Sequence, residues 1–306
     1  MSNAFGLRLP ATSANLGPGF DAVAVALDFY LEIEAQPAAQ FFIAATGHDA
    51  ERCSRLQDNL ILGTYERLLR ENGRPVTPLA IRMVNGIPLG MGCGSSAAAR
   101  LAAVVMAVHF GQLDWTSTRI LEEGCALEGH PDNAAACWLG GFVAAACEGR
   151  NVHYARVEPP ARWRVILVLP DDPLSTSTAR AILPEAYPRR NAVANVQYAS
   201  LLGLAFATGR DDLLRIAMQD HIHQPYRAPM CSLLSPLLEL PGRHGILGAA
   251  LSGAGPAVLV IVDGEESLEP ASSAIRTALA SLPEPKLRVC RFEVAGAGQT
   301  SPLRSI

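Results

Sequence analysis

The stretch Ile87-Pro-Leu-Gly-Met-Gly-Cys-Gly-Ser-Ser-Ala-Ala-Ala99 joins a glycine-rich loop to the start of a predicted helix. Its alternating glycines permit backbone conformations that side chains exclude, and they let a ligand approach the backbone closely. The run from Ala97 to Phe110 consists mostly of strong helix formers. Ser95 or Ser96 is the expected N-cap, and Gly111 is the expected end. Such a loop favours phosphate binding, because the helix N-terminus offers free N–H groups and a positive dipole end. The same pattern also fits an ordinary loop before a buried helix.

The single lysine of the chain, Lys286, lies far from this loop. A Walker A loop needs its own lysine, and so does the ATP-binding strand of a protein kinase. Both classes are therefore excluded, as is an enzyme that holds its cofactor as a lysine Schiff base. Any nucleotide at the loop must have its phosphates held by backbone amides, Mg²⁺ and arginines.

The composition indicates a globular protein without a polyanionic partner. The chain has 306 residues, of which 49% are apolar and 18% are charged, and its formal net charge is −4. This length predicts two domains. A mildly acidic surface is poorly suited to nucleic acid or to an anionic membrane, so neither is expected as a partner.

The seven cysteines are scattered, and no two form a C-x-x-C pair. This usage is typical of reduced, buried thiols in a cytoplasmic protein, and it disfavours a zinc site. The N-terminus shows no charged-then-apolar leader pattern. The longest apolar run, Ile246–Val262, is broken by glycines and by Pro256, unlike a membrane span. We therefore expect a soluble cytoplasmic protein.

The periodicity of apolar residues predicts an α+β fold. Strands are expected at residues 5–9, 22–35, 79–84, 164–169, 257–262 and 287–293, and helices at 58–72, 116–128, 192–208, 211–219 and 265–282. Asp58 is the expected cap of the first helix. Loops are expected at 10–21 and 248–256, and an apolar helix is expected in the segment 134–147. A linker at 158–163 divides the chain into domains 1–160 and 161–306, and helices on one face of an antiparallel or mixed sheet are expected in the second.

Two groups of polar residues stand out from these elements. Asn15 and Asp21 lie in the first predicted loop, where an amide and a carboxylate can accept hydrogen bonds from an ammonium group or simply shape a turn. His130, Asp132 and Asn133 form a dense cluster between apolar segments. Such a cluster suits acid–base chemistry or metal binding, but it also suits the cap of the following helix.

Four motifs, taken together, resemble those of a known superfamily. They are PATSANLGPGFD at 10–21, PLGMGCGSSAA at 88–98, EGHPDN at 128–133 and LSGAGP at 251–256. The combination is similar to the GHMP kinases and, within them, to the homoserine kinase family. The resemblance implies an N-terminal, ATP-binding α+β domain with a left-handed βαβ element and a ferredoxin-like C-terminal domain. It also implies ATP and Mg²⁺, with transfer of the γ-phosphoryl group to the hydroxyl of L-homoserine in threonine biosynthesis.

The same resemblance implies roles for individual residues. The ATP phosphates would be bound by the loop residues Pro88, Leu89, Gly90, Met91, Gly92, Cys93, Gly94, Ser95, Ser96 and Ala97. Mg²⁺ would be held by Ser96 and by Glu122, which lies ten residues before Asp132, with Glu123 and Glu128 as competing choices. Homoserine would be surrounded by Asn15, Asp21, His130, Asn133, Thr176, Arg180, Arg227, Ser252 and Gly253. Asp132 would be either the catalytic base or a group that orients the substrate.

These residue types suit a zwitterionic substrate. Arg180 and Arg227 can bind a carboxylate through two parallel hydrogen bonds, while Asp21 and Asn15 can accept hydrogen bonds from an ammonium group. Mevalonate kinase is an alternative, but mevalonate has no ammonium group and the first motif lacks the lysine usual in those enzymes. A non-catalytic nucleotide or amino-acid sensor is a second alternative, since fold alone does not imply activity.

The chain departs from the usual motifs at two positions. Cys93 replaces the usual leucine of the glycine loop, and Ala257 replaces the usual serine after the LSGAGP motif. We hypothesise that Cys93 makes the activity sensitive to alkylating reagents. The sequence leaves the oligomeric state open, although a homodimer is common among the relatives that the resemblance implies.

Overall fold

The computed structural model describes residues 5–300, and the strands form two separate sheets. The first sheet contains β1 (Phe5–Asn15), β2 (Gly19–Pro37), β3 (Phe42–Gly47), β4 (Leu79–Asn85), β5 (Phe142–Glu148) and β6 (Asn151–Val157). Its order is β3-β4-β2-β5-β6, with β1 paired to β2. The long strand β2 pairs antiparallel with β1, β4 and β5, whereas β3 and β4 are parallel. A parallel pair needs a crossover connection, and two helices provide it.

Five helices accompany the first sheet: α1 (Ala50–Ser54), α2 (Leu60–Glu71), α3 (Ser95–Gly111), α4 (Ser117–Glu128) and α5 (Asp132–Leu139). Helix α3 is buried on nearly all sides from Leu101 to Val108, as expected for a helix that is apolar all round. It contacts α2, α4, α5 and β1, and this packing fixes the position of its N-terminus.

Two predicted N-caps are wrong. Asn59, rather than Asp58, caps α2, because its side-chain oxygen accepts from the backbone N–H groups of Ile61 and Leu62. Gly94, rather than Ser95 or Ser96, occupies the N-cap of α3 with φ 74°. The serines therefore lie inside the first turn of α3.

The second sheet contains β7 (Trp163–Leu169), β8 (Ile246–Leu251), β9 (Val258–Asp263) and β10 (Lys286–Cys290) in the order β10-β7-β9-β8. All three pairings are antiparallel. This order of fourth, first, third and second strand is the ferredoxin-like arrangement that the resemblance implies, and the predicted α+β class is confirmed. The accompanying helices are α6 (Thr176–Ala181), α7 (Arg189–Thr208), α8 (Leu214–Ala217), α9 (Gln224–Arg227), α10 (Leu234–Leu238) and α11 (Leu268–Ala278). A last helix, α12 (Ala297–Thr300), follows β10 but lies with the first sheet.

The end of the described chain returns to the first sheet. Leu27 of β2 forms a bridge with Phe292, and Arg156 of β6 donates to the Val294 carbonyl. Helix α12 packs against α5 and β1. The sheets are divided between Val157 and Trp163, close to the predicted linker, while residues 292–300 pack with the N-terminal part. The proposed domain bounds remain a prediction.

Four strands escaped the sequence analysis: β3, β5, β6 and β8. Residues 248–251, expected in a loop, belong to β8. The expected helix in segment 134–147 ends at Leu139, because Gly140 and Gly141 adopt φ values of 72° and 73° and redirect the chain into β5. A Cβ on Gly140 would lie 2.5 Å from the Val294 carbonyl oxygen, so tertiary packing requires this glycine. Between residues 5 and 300, none of the helices has the length and apolar character needed to cross a membrane.

Candidate active site

Loops from both halves of the chain enclose a cavity of about 410 Å³, here called the main cavity. Its lining includes most of the residues predicted to form a site: Asn15, Asp21, Gly90, Gly92, Cys93, Gly94, Ser95, Ser96, Ala97, His130, Asp132, Asn133, Thr176, Arg180, Arg227 and Gly253. Five predicted residues are not part of the lining: Pro88, Leu89, Met91, Glu122 and Ser252. Residues 238 positions apart in sequence therefore meet here, as the hydrogen bond between Asn15 and Gly253 shows.

The glycine loop is held close to its neighbours and needs glycine for two reasons. Gly92 and Gly94 adopt φ values of 75° and 74°, which side chains disfavour. A Cβ would lie 2.0 Å from the Ser252 carbonyl oxygen at Gly92 and 1.9 Å from the Thr12 hydroxyl at Gly94. The hydroxyl of Ser252 donates to the Gly92 carbonyl at 2.7 Å. Ser252 thus supports the loop from behind.

The first turn of α3 follows this loop and lines the main cavity with Ser95, Ser96 and Ala97. The first backbone N–H groups of an α-helix have no partner within the helix, and they carry the positive end of its dipole. This end of the cavity therefore suits an anion such as a phosphate.

A second cavity, of about 470 Å³, adjoins the main one and shares Gly90, Ser95 and Ser96 with it. Its other walls are largely apolar and include Leu31, Ile61, Met83, Ile87 and Leu89. Helix α2 and strand β4 supply much of this wall. The combined space thus has an apolar end and a polar end on either side of the glycine loop.

Ser96 forms a cluster with Glu128 and Arg100. The Ser96 hydroxyl donates to Glu128 Oε1 at 2.8 Å, and Arg100 Nη1 lies 2.5 Å from the same oxygen. The side chain of Glu128 is nearly buried, with 7% of its surface exposed. A hydroxyl and a carboxylate at this distance, beside the anion-binding turn, can share a divalent cation.

The residues His130, Asp132 and Asn133 form a connected group at the start of α5. His130 Nδ1 lies 2.6 Å from Asp132 Oδ1, and the Asn133 backbone N–H donates to the same oxygen at 2.6 Å. Thr12 donates to Asn133 Oδ1, also at 2.6 Å. Burial lowers the pKa of His130, but the hydrogen bond and charge of Asp132 outweigh burial and raise that pKa overall. His130 therefore readily carries a proton towards Asp132.

Asp21 and Arg180 form an ion pair across the cavity. Arg180 Nη2 lies 2.5 Å from Asp21 Oδ1, and Nη1 lies 3.0 Å from Oδ2. Both side chains are partly exposed, with 38% for Arg180 and 30% for Asp21. The two groups that the sequence analysis assigned to opposite ends of a zwitterion thus neutralise each other here.

Arg227 has no such partner. It is 1% exposed, and its guanidinium donates to the carbonyls of Ala179 and Gly253 at 3.0 Å and 3.2 Å. Within residues 5–300, no carboxylate lies within ion-pair distance of it. Burial and the nearby Arg180 lower the pKa of Arg227, although an arginine stays charged at neutral pH. A buried cation at the wall of a cavity is strongly destabilised unless an anion binds there.

Asn15, the last residue of β1, and Asp21, near the start of β2, adopt left-handed backbone conformations with φ values of 71° and 56°. Asn15 donates to the Gly253 carbonyl at 2.8 Å and accepts from the Asp21 backbone N–H at 3.1 Å. Such backbone conformations are unfavourable for residues other than glycine, and they cluster at functional sites. Here they turn Asp21 into the main cavity.

Comparisons with known proteins agree with this geometry. Residues 59–141 match the family model described as GHMP kinases N terminal domain, and residues 204–281 match GHMP kinases C terminal. A homoserine kinase from Solibacter usitatus is 45% identical over 86% of this chain and 87% of the relative. One from Deinococcus radiodurans is 40% identical over 85% and 84%. The crystal structure of homoserine kinase from Cytophaga hutchinsonii has a TM-score of 0.81, 23% identity and 97% coverage of both chains.

This chain belongs to the homoserine kinase family. The sequence motifs had indicated that family, and the recognition is confirmed. Its place in the family agrees with the enclosed cavity, since a small amino acid and a nucleotide need adjoining polar and apolar pockets.

The geometry corrects the predicted metal ligand Glu122. Glu122 does not line the main cavity, and its carboxylate lies 3.9 Å from Arg119. Glu123 pairs with Arg119 and Arg150 instead. Counting back from Asp132 pointed to Glu122, but the carboxylate that meets the Ser96 hydroxyl is that of Glu128. Glu128 replaces it as the candidate metal ligand.

The hypothesis of a reactive Cys93 in this family member is also corrected. Its side chain is 1% exposed, and burial raises the pKa of the thiol to about 12. The thiolate is the reactive form, and it is scarcely populated at neutral pH for such a group. Cys93 fills space behind the loop, much as the usual leucine of the family would.

Four residues of the site were missed as functional by the sequence analysis: Thr12, Phe20, Arg100 and His223. Thr12 and Phe20 lie within the first motif of the homoserine kinase family, so their position was a signal. Arg100 follows Ser96 by four residues on a helix, which places it on the same face. His223 could not be found from the sequence, because its contacts with Gly17 and Arg227 depend on the tertiary fold.

Proposed function

We propose that this protein transfers the γ-phosphoryl group of ATP to the side-chain hydroxyl of L-homoserine, which yields ADP and O-phospho-L-homoserine for threonine biosynthesis. The observation that carries the proposal is the buried Arg227, a cation without an anionic partner at the wall of the main cavity. Membership of the homoserine kinase family supports the same conclusion.

The nucleotide fits the two adjoining cavities. The apolar end beside Ile61 and Met83 suits a purine base, and the glycine loop with the first turn of α3 suits the phosphates. The N-terminal domain, proposed as residues 1–160, would therefore supply most contacts with ATP. The C-terminal domain, proposed as residues 161–306, would supply Thr176, Arg180 and Arg227 for the amino acid.

Ser96 and Glu128 fit a magnesium ion. Both offer oxygen ligands, which Mg²⁺ prefers, and their atoms already meet at 2.8 Å. When bound, Mg²⁺ neutralises charge on the β- and γ-phosphates during transfer. Arg100 shares the carboxylate and adds a positive charge beside the same phosphates.

The amino acid would bind between Asp21 and the two arginines. Its ammonium group would replace Arg180 as the hydrogen-bond donor to Asp21. Its carboxylate would bind Arg227 and the Arg180 side chain released from Asp21. Ser252 and Gly253 act from behind, because Ser252 holds the glycine loop and Gly253 accepts from Asn15 and Arg227.

Asp132 and Asn133 would orient the hydroxyl of homoserine. Asp132 Oδ1 already accepts from His130 and from the Asn133 backbone, so this oxygen is engaged in holding the loop. In the transfer, the hydroxyl oxygen would form a bond to the γ-phosphorus, the bond from that phosphorus to the β,γ-bridging oxygen would break with the oxygen leaving on ADP, and the hydroxyl proton would pass to water. A loose transition state asks little of the nucleophile, which favours an orienting role for Asp132.

The setting follows from the same proposal. We place the protein in the cytoplasm, where ATP is available and where free cysteines remain reduced. Its substrates are small molecules rather than nucleic acids or membranes, in keeping with a net charge of −4. A homodimer remains a prediction that sedimentation velocity can test.

The proposal is tested by ADP release with ATP and Mg²⁺, using L-homoserine, L-threonine, L-serine and mevalonate as separate substrates. We expect L-homoserine to give by far the highest kcat/KM. Arg227→Lys keeps the charge but loses the planar fork, so KM for homoserine should rise by roughly 10- to 100-fold. Arg215→Lys, at an exposed position of α8, is the matched control.

If the protein binds ATP but releases ADP with none of these substrates, the proposal is contradicted and the alternative of a non-catalytic nucleotide or amino-acid sensor is favoured. Preferential turnover of mevalonate would point to a different member of the GHMP kinases.

A further inference from the structure

His223 is completely buried beside the main cavity, yet no step of the proposed transfer uses it. Its Nε2 lies 2.8 Å from the carbonyl oxygen of Gly17, and its Nδ1 lies 3.2 Å from Nη1 of Arg227. Its ring also stacks on Phe20, with centroids 5.3 Å apart and an angle of 28°. The imidazole thus connects Gly17, in the turn that precedes Asp21, with Arg227, the arginine that has no carboxylate partner among the described residues.

The two hydrogen bonds determine which nitrogen carries the proton. A backbone carbonyl only accepts, so Nε2 must donate to Gly17. A guanidinium only donates, so Nδ1 must accept from Arg227. The ring is therefore neutral, with its hydrogen on Nε2.

The backbone of His223 is anchored as firmly as its ring. Asp220 Oδ2 accepts from the backbone N–H groups of His223 and Gln224 at 2.9 Å and 2.6 Å. The side chain of Gln224 in turn accepts from the Leu251 backbone N–H at 2.7 Å. The start of α9 is thus tied to β8, so the imidazole has little freedom to shift or rotate.

The opposite end of the contact is equally fixed. A Cβ on Gly17 would lie 2.1 Å from the Met218 carbonyl oxygen, so this loop packs directly against the residue that follows α8. Gly17 lies in the turn between β1 and β2, four residues before Asp21. The positions of Asp21, proposed to bind the substrate ammonium group, and of Arg227, proposed to bind its carboxylate, therefore both depend on the imidazole of His223.

We propose that His223, in its neutral Nε2–H form, is a positioning residue that sets the spacing between Asp21 and Arg227 and so selects the length of the amino-acid substrate. The inference rests on the proposed function, because it assigns Arg227 to the substrate carboxylate. An error of about 1 Å in such a spacing can reduce the rate by roughly two orders of magnitude.

Two variants separate the two contacts. In His223→Asn, the amide oxygen can take the position of Nδ1 and accept from Arg227. In His223→Gln, the amide nitrogen can take the position of Nε2 and donate to Gly17. His223→Phe keeps the ring stacked on Phe20 but removes both hydrogen bonds. His221→Gln, two residues away and outside the main cavity, is the matched control.

The experiment measures KM for homoserine, KM for ATP and kcat, together with the melting temperature of each variant. We expect KM for homoserine to rise roughly 10-fold or more in His223→Gln and His223→Phe, and to rise less in His223→Asn. KM for ATP should stay within about 2-fold in all of them, because the nucleotide end does not touch this ring. A purely structural role would raise both KM values or lower only the melting temperature.

A double-mutant cycle gives the second readout. If His223 acts through Arg227, then His223→Gln should have little further effect on homoserine kinetics in an Arg227→Lys background. Wild-type KM for homoserine in both His223→Gln and His223→Phe, or full additivity with Arg227→Lys, would overturn the inference alone. Failure of the wild-type protein to phosphorylate homoserine would overturn the proposed function and this inference with it.

Discussion

Arg227 and Arg180 show how two arginines of one site can differ. Arg180 is partly exposed and already paired with Asp21, whereas Arg227 is buried and bound only to neutral acceptors. The first arrangement costs little to form, since water and a carboxylate both stabilise the charge. In the second arrangement, the buried charge of Arg227 is stabilised only by neutral groups, so an anion that binds there gains a strong interaction. Two arginines of the same site can therefore differ in their tendency to bind an anion, depending on how deeply each is buried.

The titration of His223 gives a prediction about stability. Its burial, and the positive charge of Arg227, lower the pKa of His223, while Asp220, Asp21 and the Gly17 carbonyl act in the opposite direction without outweighing burial. Above about pH 6.5, the ring is neutral in both the folded and the unfolded state. As the pH falls below that value, the unfolded state binds a proton that the folded state excludes. The free energy of unfolding should then fall, by at most about 1.4 kcal/mol per pH unit from this residue.

This prediction is measured by urea unfolding at about pH 7.5 and about pH 5.5. The wild-type protein should lose more stability between these values than His223→Gln, which has no group to titrate at this position. His221→Gln, on the same segment but less buried, serves as the control. An equal loss in the wild-type protein and His223→Gln would contradict the assignment of a neutral buried ring.

At the scale of elements, the direction of a helix decides which carboxylate reaches the site. Glu122 and Glu128 both lie on α4, six positions apart. At about 100° per residue they point roughly 120° apart around the helix axis. Only Glu128, at the last turn, meets Ser96. The sequence spacing alone could not distinguish them, because it does not show how α4 is rotated against α3.

We therefore expect Glu128→Gln to lower kcat by roughly 100-fold or more and to raise the Mg²⁺ concentration needed for half-maximal rate, because one anionic metal ligand is lost. Glu122→Gln is the matched control and should stay within about 3-fold of the wild-type rate. The measurement is a magnesium titration of ADP release with homoserine saturating. A larger effect of Glu122→Gln would restore the choice made from the sequence.

At the scale of the whole molecule, the Asp21–Arg180 pair connects the start of β2 with helix α6 of the second half. An incoming zwitterion can exchange with both partners at once. Under the proposed function, its ammonium group would replace Arg180 at Asp21, and its carboxylate would compensate the charges of both Arg180 and Arg227. A ligand with a single charge breaks the same pair and leaves one partner unpaired, which costs stability.

Three ligands test this exchange by their effect on the melting temperature. L-Homoserine carries both charges, 4-hydroxybutanoate lacks the ammonium group, and 3-aminopropan-1-ol lacks the carboxylate. Because ligand binding stabilises the folded state, homoserine should raise the melting temperature most. In Asp21→Asn, which removes one partner, the advantage over 4-hydroxybutanoate should shrink. Equal stabilisation by all three ligands would contradict the exchange.

The family, the α+β class, the long helix α3 and the set of polar residues near the site could be predicted from the sequence alone. These features follow from local patterns: glycine spacing, helix-forming runs, and motifs whose residues stand together. The strands β5 and β6, the choice of Glu128 as the proposed metal ligand and the proposed role of His223 required the folded structure. Each of them depends on contacts between distant segments, such as Gly140 against Val294, Ser96 against Glu128, and His223 against Gly17. Local propensity carries no information about such contacts, because burial and packing arise only when the chain is folded.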